Sequence, residues 1–422
     1  MRSIIENVTC TFCGCLCDDI IVEVEDSKIV RVRRVCTNGR GIFVNHDPTL
    51  RKPTVDGREV DWKEAAAETA KILSRADSPL IYGLSSTAVE AQRKAIELAD
   101  RIGAIIDTTS SVCHGPSGLA MQAVGEATCT LGEVRNRADL LLFWGCNPLV
   151  SHLRHFSRYS LMPKGTLFPN GRRDRTVFVI DVRRTASAKS ADHFIQVKID
   201  SDFEVLTSLR AMVQGKEIEA ETVGGVPKAR LQEMAELMKT CRYGVVFFGM
   251  GLTMTRAREY NVEELFRLVT ELNEYTRFSV IPMRGHGNVA GADQVLTWQS
   301  GYPFAVSFAR GYPQYGPGEF SAVDLLARGE VDAALILASD PVAHFPRTAS
   351  RYLERIPTII IDPMPNLTSQ SAAVVFPTAC YGVDAAGTSY RMDNVPIRLR
   401  PALFSKRPTD EEVLDQIIEE VK

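Results

Sequence analysis

The chain has 422 residues, 45 % hydrophobic and 24 % charged, which is the composition of a globular protein with room for roughly two to four domains and excludes disordered, collagen-like and disulfide-dense classes. With 49 Lys and Arg against 52 Asp and Glu, the net charge of -3 gives no global attraction for nucleic acid or an anionic membrane. The longest apolar runs, such as Ala333 to Ala338 and Val245 to Phe248, fall far below the roughly 18 residues of a membrane span, so no transmembrane helix is expected.

At the start of the chain Glu6, Asn7 and Thr9 stand where a secretory leader needs an apolar stretch. No twin-arginine pair precedes the first cysteine, so the protein is expected in the cytoplasm. Five of the ten cysteines lie in the first 36 residues, and such crowding in a large cytoplasmic protein favours metal over disulfides. Cys10, Cys13, Cys17 and Cys36 form C-x2-C-x3-C-x18-C, with Gly14 allowing a tight wrap. Four thiolates on a compact loop suit a [4Fe-4S] cluster, in which each iron takes one thiolate and the loop's N–H groups reach the sulfides. A structural zinc site and inert cysteines are the alternatives. Zinc sites more often use paired C-x2-C knuckles, and the asymmetric triplet favours iron.

From Ile20 to Val35 apolar and polar residues alternate around Asp26-Ser27, which predicts two short antiparallel strands in a small β-rich cap. After Asp56-Gly57 the pattern changes. Asp61 is a plausible N-cap, with Glu64 three positions on, for a helix through about Ser74. Beyond it β-rich apolar runs alternate with helical stretches: Leu80 to Gly83, a helix from Thr87 to Arg101, Ala104 to Asp107, Leu140 to Gly145, Val177 to Asp181 and Phe194 to Val197. Val245 to Gly249, Phe278 to Ile281, Ala334 to Leu337 and Thr358 to Asp362 continue the series. Continuous apolar strands between amphipathic helices predict parallel sheets covered on both faces, and so many units imply more than one sheet. After Phe376-Pro377 the chain reads as irregular up to an acidic helix from about Thr409 to Val421.

Ligands of parallel sheets collect beyond the carboxyl ends of the strands. Cys113-His114-Gly115 falls there, after Ala104 to Asp107, although a buried Cys beside a capping His serves equally as a reading of that pair alone. Gly145-Cys146-Asn147-Pro148, Asp181-Val182-Arg183-Arg184-Thr185 and Gly249-Met250-Gly251 follow other strands, each expected to place free N–H groups or a guanidinium at a strand end. None completes a dinucleotide fingerprint. Together they suggest a large phosphorylated cofactor.

The segment Cys10-Thr11-Phe12-Cys13-Gly14-Cys15-Leu16-Cys17-Asp18-Asp19-Ile20, the Cys113-His114-Gly115 step and Arg284-Gly285-His286-Gly287-Asn288 resemble the B-subunit family of formylmethanofuran dehydrogenases over nearly the whole chain. More broadly, Trp144-Gly145-Cys146-Asn147-Pro148, Asp181 to Thr185 and Gly387-Thr388-Ser389 are similar to cofactor-binding segments of molybdenum or tungsten bis-pterin oxidoreductases, formate dehydrogenases included. The resemblance implies a [4Fe-4S] cluster on Cys10, Cys13, Cys17 and Cys36. It also implies tungsten or molybdenum bound by two pyranopterin guanine dinucleotides and by Cys113, with His114 and Arg284 flanking the substrate. Asn147, His152, Asp181, Arg183, Gly251, Asp340 and Thr388 are the expected contacts to the dinucleotide tails.

The implied reaction is reduction of CO2 to formate, which passes to an amidohydrolase subunit. A small β-barrel subunit that binds the pterin dinucleotide and ferredoxin-like subunits are the further expected partners. Asn38 stands where the longer formate dehydrogenases carry a Lys two residues after the fourth cysteine, which leaves Arg40 or Lys52 as its nearby substitutes. The implied architecture is an iron-sulfur cap over residues 1–57, a first doubly wound αβα domain from 58–109 and 286–376, a second from 110–285, and a segment 377–422 packing on the cap and cofactor. The C-terminal β-barrel domain of the longer enzymes is expected to be absent. The competing functions are the catalytic subunit of a cytoplasmic formate dehydrogenase and a non-catalytic electron-transfer scaffold.

Overall fold

A computed structural model describes residues 2–47 and 49–421. The chain folds as two compact units, residues 1–112 with 286–422 and residues 113–285. Among the described residues no helix is long and apolar enough to cross a membrane.

The first unit begins with the antiparallel strands Arg2–Val8, Ile20–Glu25 and Lys28–Arg33, paired in that order. The predicted hairpin is present. Asp26 and Ser27 both have positive φ, 48° and 61°, as a two-residue turn matched to the strand twist requires. The strand Arg2–Val8 was not expected, because its sequence carries no strict alternation. Asp61 caps the helix Trp62–Arg75 by accepting from the Glu64 N–H. The next helix starts at Val89 rather than at Thr87, because the Thr87 hydroxyl donates to the Asp410 carboxylate instead of capping.

The main sheet of this unit is mixed. Its five central strands, Ile105–Thr108, Pro79–Gly83, Ala333–Leu337, Thr358–Ile361 and Val374–Phe376, are parallel in that spatial order. The purely parallel expectation fails at both edges. Val306–Ser307 and Gln314–Tyr315 continue the sheet antiparallel on one side, Thr54–Val55 and Arg58–Glu59 on the other. These two-residue strands are joined by short turns, one through Asp56 and Gly57 at positive φ, whereas a parallel neighbour needs a crossover of about a dozen residues.

Beyond Pro377 the chain is less irregular than its sequence reads, since Gly387–Tyr390 and Pro396–Leu399 form an antiparallel hairpin. Residues of this stretch reach the cysteine loop, with Met392 N donating to Gly14 O at 2.9 Å. The last helix, Asp410–Glu420, opens with a Thr409–Glu412 capping box. It buries Val413, Leu414, Ile417 and Ile418 against the helices Trp62–Arg75 and Val89–Ile102.

The second unit holds one all-parallel sheet in the order His193–Gln196, Thr176–Asp181, Leu140–Trp144, Tyr243–Phe248, Arg277–Pro282. The central strands are buried along their length, which explains their unbroken apolar sequences. The chain order reverses between Leu140–Trp144 and Tyr243–Phe248, and between Pro79–Gly83 and Ala333–Leu337 in the first unit. Such reversals open a crevice at the carboxyl ends of the two strands concerned.

Candidate functional site

In the first unit the cysteine loop closes on itself through Cys10 N to Cys17 O at 2.9 Å and Leu16 N to Cys13 O at 3.0 Å. The hairpin returns the chain to Cys36, the N-cap of the helix Thr37–Val44, whose Sγ accepts from Gly39 N at 3.4 Å. Cys10, Cys13, Cys17 and Cys36 are thereby brought together: burial pushes the Cys10 thiol up, and the charges of Cys17, Cys13 and Cys36 push it further. Cys13 is held below the ordinary thiol value by a hydrogen bond from Cys15, whose own thiol is pushed up by the same bond and by burial. Gly39 is required here, because a Cβ would lie 2.5 Å from Cys10 Sγ and 3.6 Å from Cys36 Sγ. Among the described residues no three His, Cys, Asp or Glu side chains are arranged to hold a single metal ion.

At the strand-order reversal of the same unit lies a cavity of about 720 Å³, lined by Tyr82, Ser86, Ser339 and Asp340 from the strand ends and by Thr11 and Phe12 from the cysteine loop. Asp340 lines it with its carboxylate fixed by Leu367 N, Thr368 N and Thr368 Oγ1 at 2.6 to 3.1 Å. Burial alone would raise that carboxyl, and the Thr368 and Leu367 bonds outweigh it, so it is held below the ordinary value. Thr388 lies on the terminal hairpin and gives both its N–H and its hydroxyl to Glu90, each at 2.9 Å.

The cavity also exposes residues that sequence reasoning missed. Asp362 is pushed up to about 7 by burial. His46 lies 3.2 Å from Asp384, which also meets Arg407 at 3.5 Å. Asp362 is the last residue of the predicted strand Thr358 to Asp362, and that place at a strand's carboxyl end was the signal available for it. Nothing local marks His46 or His344, both of which line the cavity.

In the second unit Cys113 is half-buried at the head of the helix Gly115–Val124, and its carbonyl accepts from Thr253 Oγ1 at 2.9 Å. His114 is buried as the N-cap of that helix, with Nδ1 3.1 Å from Ser117 Oγ and its ring edge-on to Phe248. Its Nε2 has no hydrogen-bond partner. Burial, then the positive charge of Arg284, lower the imidazole to about 3. Arg284, distant in sequence, follows the strand Arg277–Pro282, and its charge is felt at His114. Its side chain is buried, and its carbonyl accepts from His152 Nε2 at 2.8 Å.

The other expected residues of this unit are dispersed along the strand ends. Asn147 Oδ1 accepts from Ser187 N at 3.2 Å and from Ser187 Oγ at 2.7 Å. Asp181, raised by burial, accepts from Arg183 N at 3.3 Å, and the Arg183 side chain is exposed. Within these turns the amides of the glycines themselves are engaged. Gly145 N donates to Ile180 O at 2.9 Å, Gly249 N to Trp144 O at 3.1 Å and Gly251 N to Gly145 O at 2.9 Å. The two turns clasp across the reversal, and a Cβ on Gly145, at φ 56°, would lie 2.8 Å from the Gly251 carbonyl carbon.

The family model for molybdopterin oxidoreductases matches residues 46–406. The chain is 46 % identical to the B subunit of the tungsten-containing formylmethanofuran dehydrogenase 2 of Methanocaldococcus jannaschii, over 100 % of this chain and 99 % of that one. It is 43 % identical to the counterpart of the same name from Methanococcus maripaludis, over 99 % of each. Among solved structures it resembles the formyltransferase/hydrolase complex of Methylorubrum extorquens with methylofuran, at a TM-score of 0.71 and 26 % identity over 87 % of this chain and 98 % of that one. Acetylene hydratase from Pelobacter acetylenicus shares the fold, at a TM-score of 0.70 and 12 % identity over 98 % of this chain and 69 % of that one.

Proposed function

From the premise that the chain belongs to the molybdopterin oxidoreductase family, and within it to the formylmethanofuran dehydrogenase B subunits, we propose that it reduces CO2 to formate, each CO2 taking up two electrons and one proton. When bound, a [4Fe-4S] cluster and a tungsten or molybdenum ion held by two pyranopterin guanine dinucleotides supply the redox chemistry. In the first unit Cys10, Cys13, Cys17 and Cys36 would hold the cluster. The fit rests on three thiols of one loop and a fourth, Cys36, returned beside them by the hairpin, and on Gly39, where any Cβ would collide with Cys10 Sγ. In the second unit Cys113 would ligate the ion, and the orphaned Nε2 of His114 beside it supports a ligand at this helix head. Asn147, His152, Asp181, Arg183 and Gly251 in that unit, and Asp340 and Thr388 in the first, are the proposed dinucleotide contacts.

The observation that carries the proposal is that Arg284 and His114 are both buried, with the charge of the guanidinium felt at the imidazole. A guanidinium presents a planar fork that holds a carboxylate by two charge-assisted hydrogen bonds, and exclusion of water strengthens that hold. His114 is kept neutral near pH 7, so its open Nε2 can accept a hydrogen bond, or a proton in passing, from a group bound beside it. Formate would pass to an amidohydrolase partner. A small β-barrel pterin-binding subunit and ferredoxin-like carriers would complete a cytoplasmic assembly.

Metal and pterin analysis after anaerobic purification tests the reading. Tungsten or molybdenum with pterin, about four iron and viologen-coupled formate oxidation are expected. A protein with neither metal nor pterin would be a scaffold, and the reading would fall.

A further inference from the structure

Four consecutive hydroxyl residues, Thr108 to Ser111, lead from the first sheet towards Cys113. The strand Ile105–Thr108 passes into the single turn Thr109–Val112, and Thr108, Thr109 and Ser110 are buried. A hydroxyl taken out of water needs a partner. Thr108 Oγ1 donates to Asp293 Oδ1 at 3.0 Å, and Ser110 Oγ donates to Asp293 Oδ2 at 2.7 Å. One buried carboxylate thus grips this run at two residues, with one oxygen for each. Thr109 Oγ1 meets Ser85 Oγ, and Ser111 Oγ donates back to Thr108 O at 3.1 Å.

Asp293 stands on a helix that is itself anchored. Val289–Ser300 begins directly after the segment Arg284-Gly285-His286-Gly287-Asn288, with Asn288 as its N-cap. Asn288 gives its N–H to Ser85 O at 2.9 Å and its Nδ2 to Thr87 O at 2.7 Å, while its Oδ1 accepts from Tyr390 N at 2.7 Å. Ser85 therefore touches both the head of the helix and the hydroxyl run, and Asp293 joins the two a second time. The local bonds of Ser110 N and Ser111 Oγ to Thr108 already close the turn. A carboxylate 183 residues away from Ser110 along the chain is not needed for that. What it adds is a single register of the run on the helix, because hydroxyl bonds to a carboxylate are charge-assisted and a buried polar network specifies one arrangement.

We propose that Asp293 is a positioning residue for Cys113: through Thr108 and Ser110 it sets where the run ends, and so holds the Cys113 thiolate to the metal. The proposal rests on the assignment of Cys113 as the metal's protein ligand. Asp293→Asn exchanges one acceptor for an amide donor, so one of the two hydroxyls loses its acceptor and the run is released at one grip. Thr108→Val releases a grip from the other side at nearly constant volume. Thr108→Ser keeps the hydroxyl.

X-ray absorption at the tungsten or molybdenum edge of the purified complex measures the metal's sulfur neighbours, with Cys113→Ala as the mark for complete loss of the protein sulfur. Asp293→Asn and Thr108→Val are expected to keep metal, pterin and cluster iron at the wild-type level, yet to lengthen or spread the protein sulfur distance. Their kcat for formate should fall about tenfold with KM within about twofold of wild type. Thr108→Ser should match wild type in both measurements. A wild-type sulfur shell in Asp293→Asn, with only Tm lowered, would overturn the proposal and leave a clamp that serves folding alone. Equal losses in Thr108→Ser and Thr108→Val would overturn it too, since packing rather than the hydroxyl would then be responsible. If Asp293→Asn does not assemble, the sulfur shell of Thr108→Val decides in the same way. A sulfur shell unchanged in Cys113→Ala would sink the ligand assignment and the proposal with it, whereas a shell diminished there and unchanged in Asp293→Asn would sink only the role of Asp293.

Discussion

The cysteine loop and the helix head at Cys113 gather opposite kinds of charge. At the loop, Cys10 is buried among Cys17, Cys13 and Cys36, and each neighbour makes it harder to ionise. At the helix head, a buried guanidinium and a neutral imidazole stand together, and Arg284 makes His114 harder to protonate. The first arrangement repels itself once the thiols ionise and is relieved by a bound cation cluster. The second attracts an anion. Under the proposed assignment, the charge contributions at the first site suit a positive cluster and those at the second a negative substrate.

Variants can break that contrast one site at a time. Cys113→Ala should have the largest effect, taking viologen-coupled formate oxidation to background while iron content stays at the wild-type level. Retained turnover would remove the second site from the chemistry. Cys36→Ser should do the converse, emptying the loop of iron because a cubane normally needs all four thiolates. Iron and sulfide analysis checks this, and an unchanged content would return the loop to the other readings of its spacing.

Arg284→Lys should retain both metals yet lower formate turnover about a hundredfold, on the order of 3 kcal/mol, because a lysine is a point charge without the planar fork. The smallest effect sharpens the contrast through stability. His155, buried among aromatic rings of the second unit, is lowered from 6.5 to about 3 by burial and by His152. A depressed folded value means that the unfolded chain binds the proton first, so the stability is present above about pH 6.5 and is lost as pH falls. His155 alone should account for a loss of about 2 kcal/mol, or about 5 °C in Tm, from pH 7 to pH 5 in thermal melts. His155→Gln should remove that share and leave the part of the limb that His114, lowered in the same way, contributes.

What the sequence determined by itself was whatever depends on neighbours in the chain. Asp61 capping its helix, the Asp26-Ser27 turn, the apolar strands and the gathering of Cys10, Cys13 and Cys17 follow from hydrogen bonds and periodicities a few residues long, and Cys36 is returned by one hairpin. Arg284 was named through a resemblance, since nothing in its local pattern points to His114. Tertiary structure alone decided that the charge of Arg284 is felt at His114, along with the antiparallel edges of the first sheet and the clasp that takes up the N–H groups of Gly145, Gly249 and Gly251. Those features depend on strand order and on which groups lose water together. Both are settled by burial between segments far apart in the chain, a quantity that no local window contains.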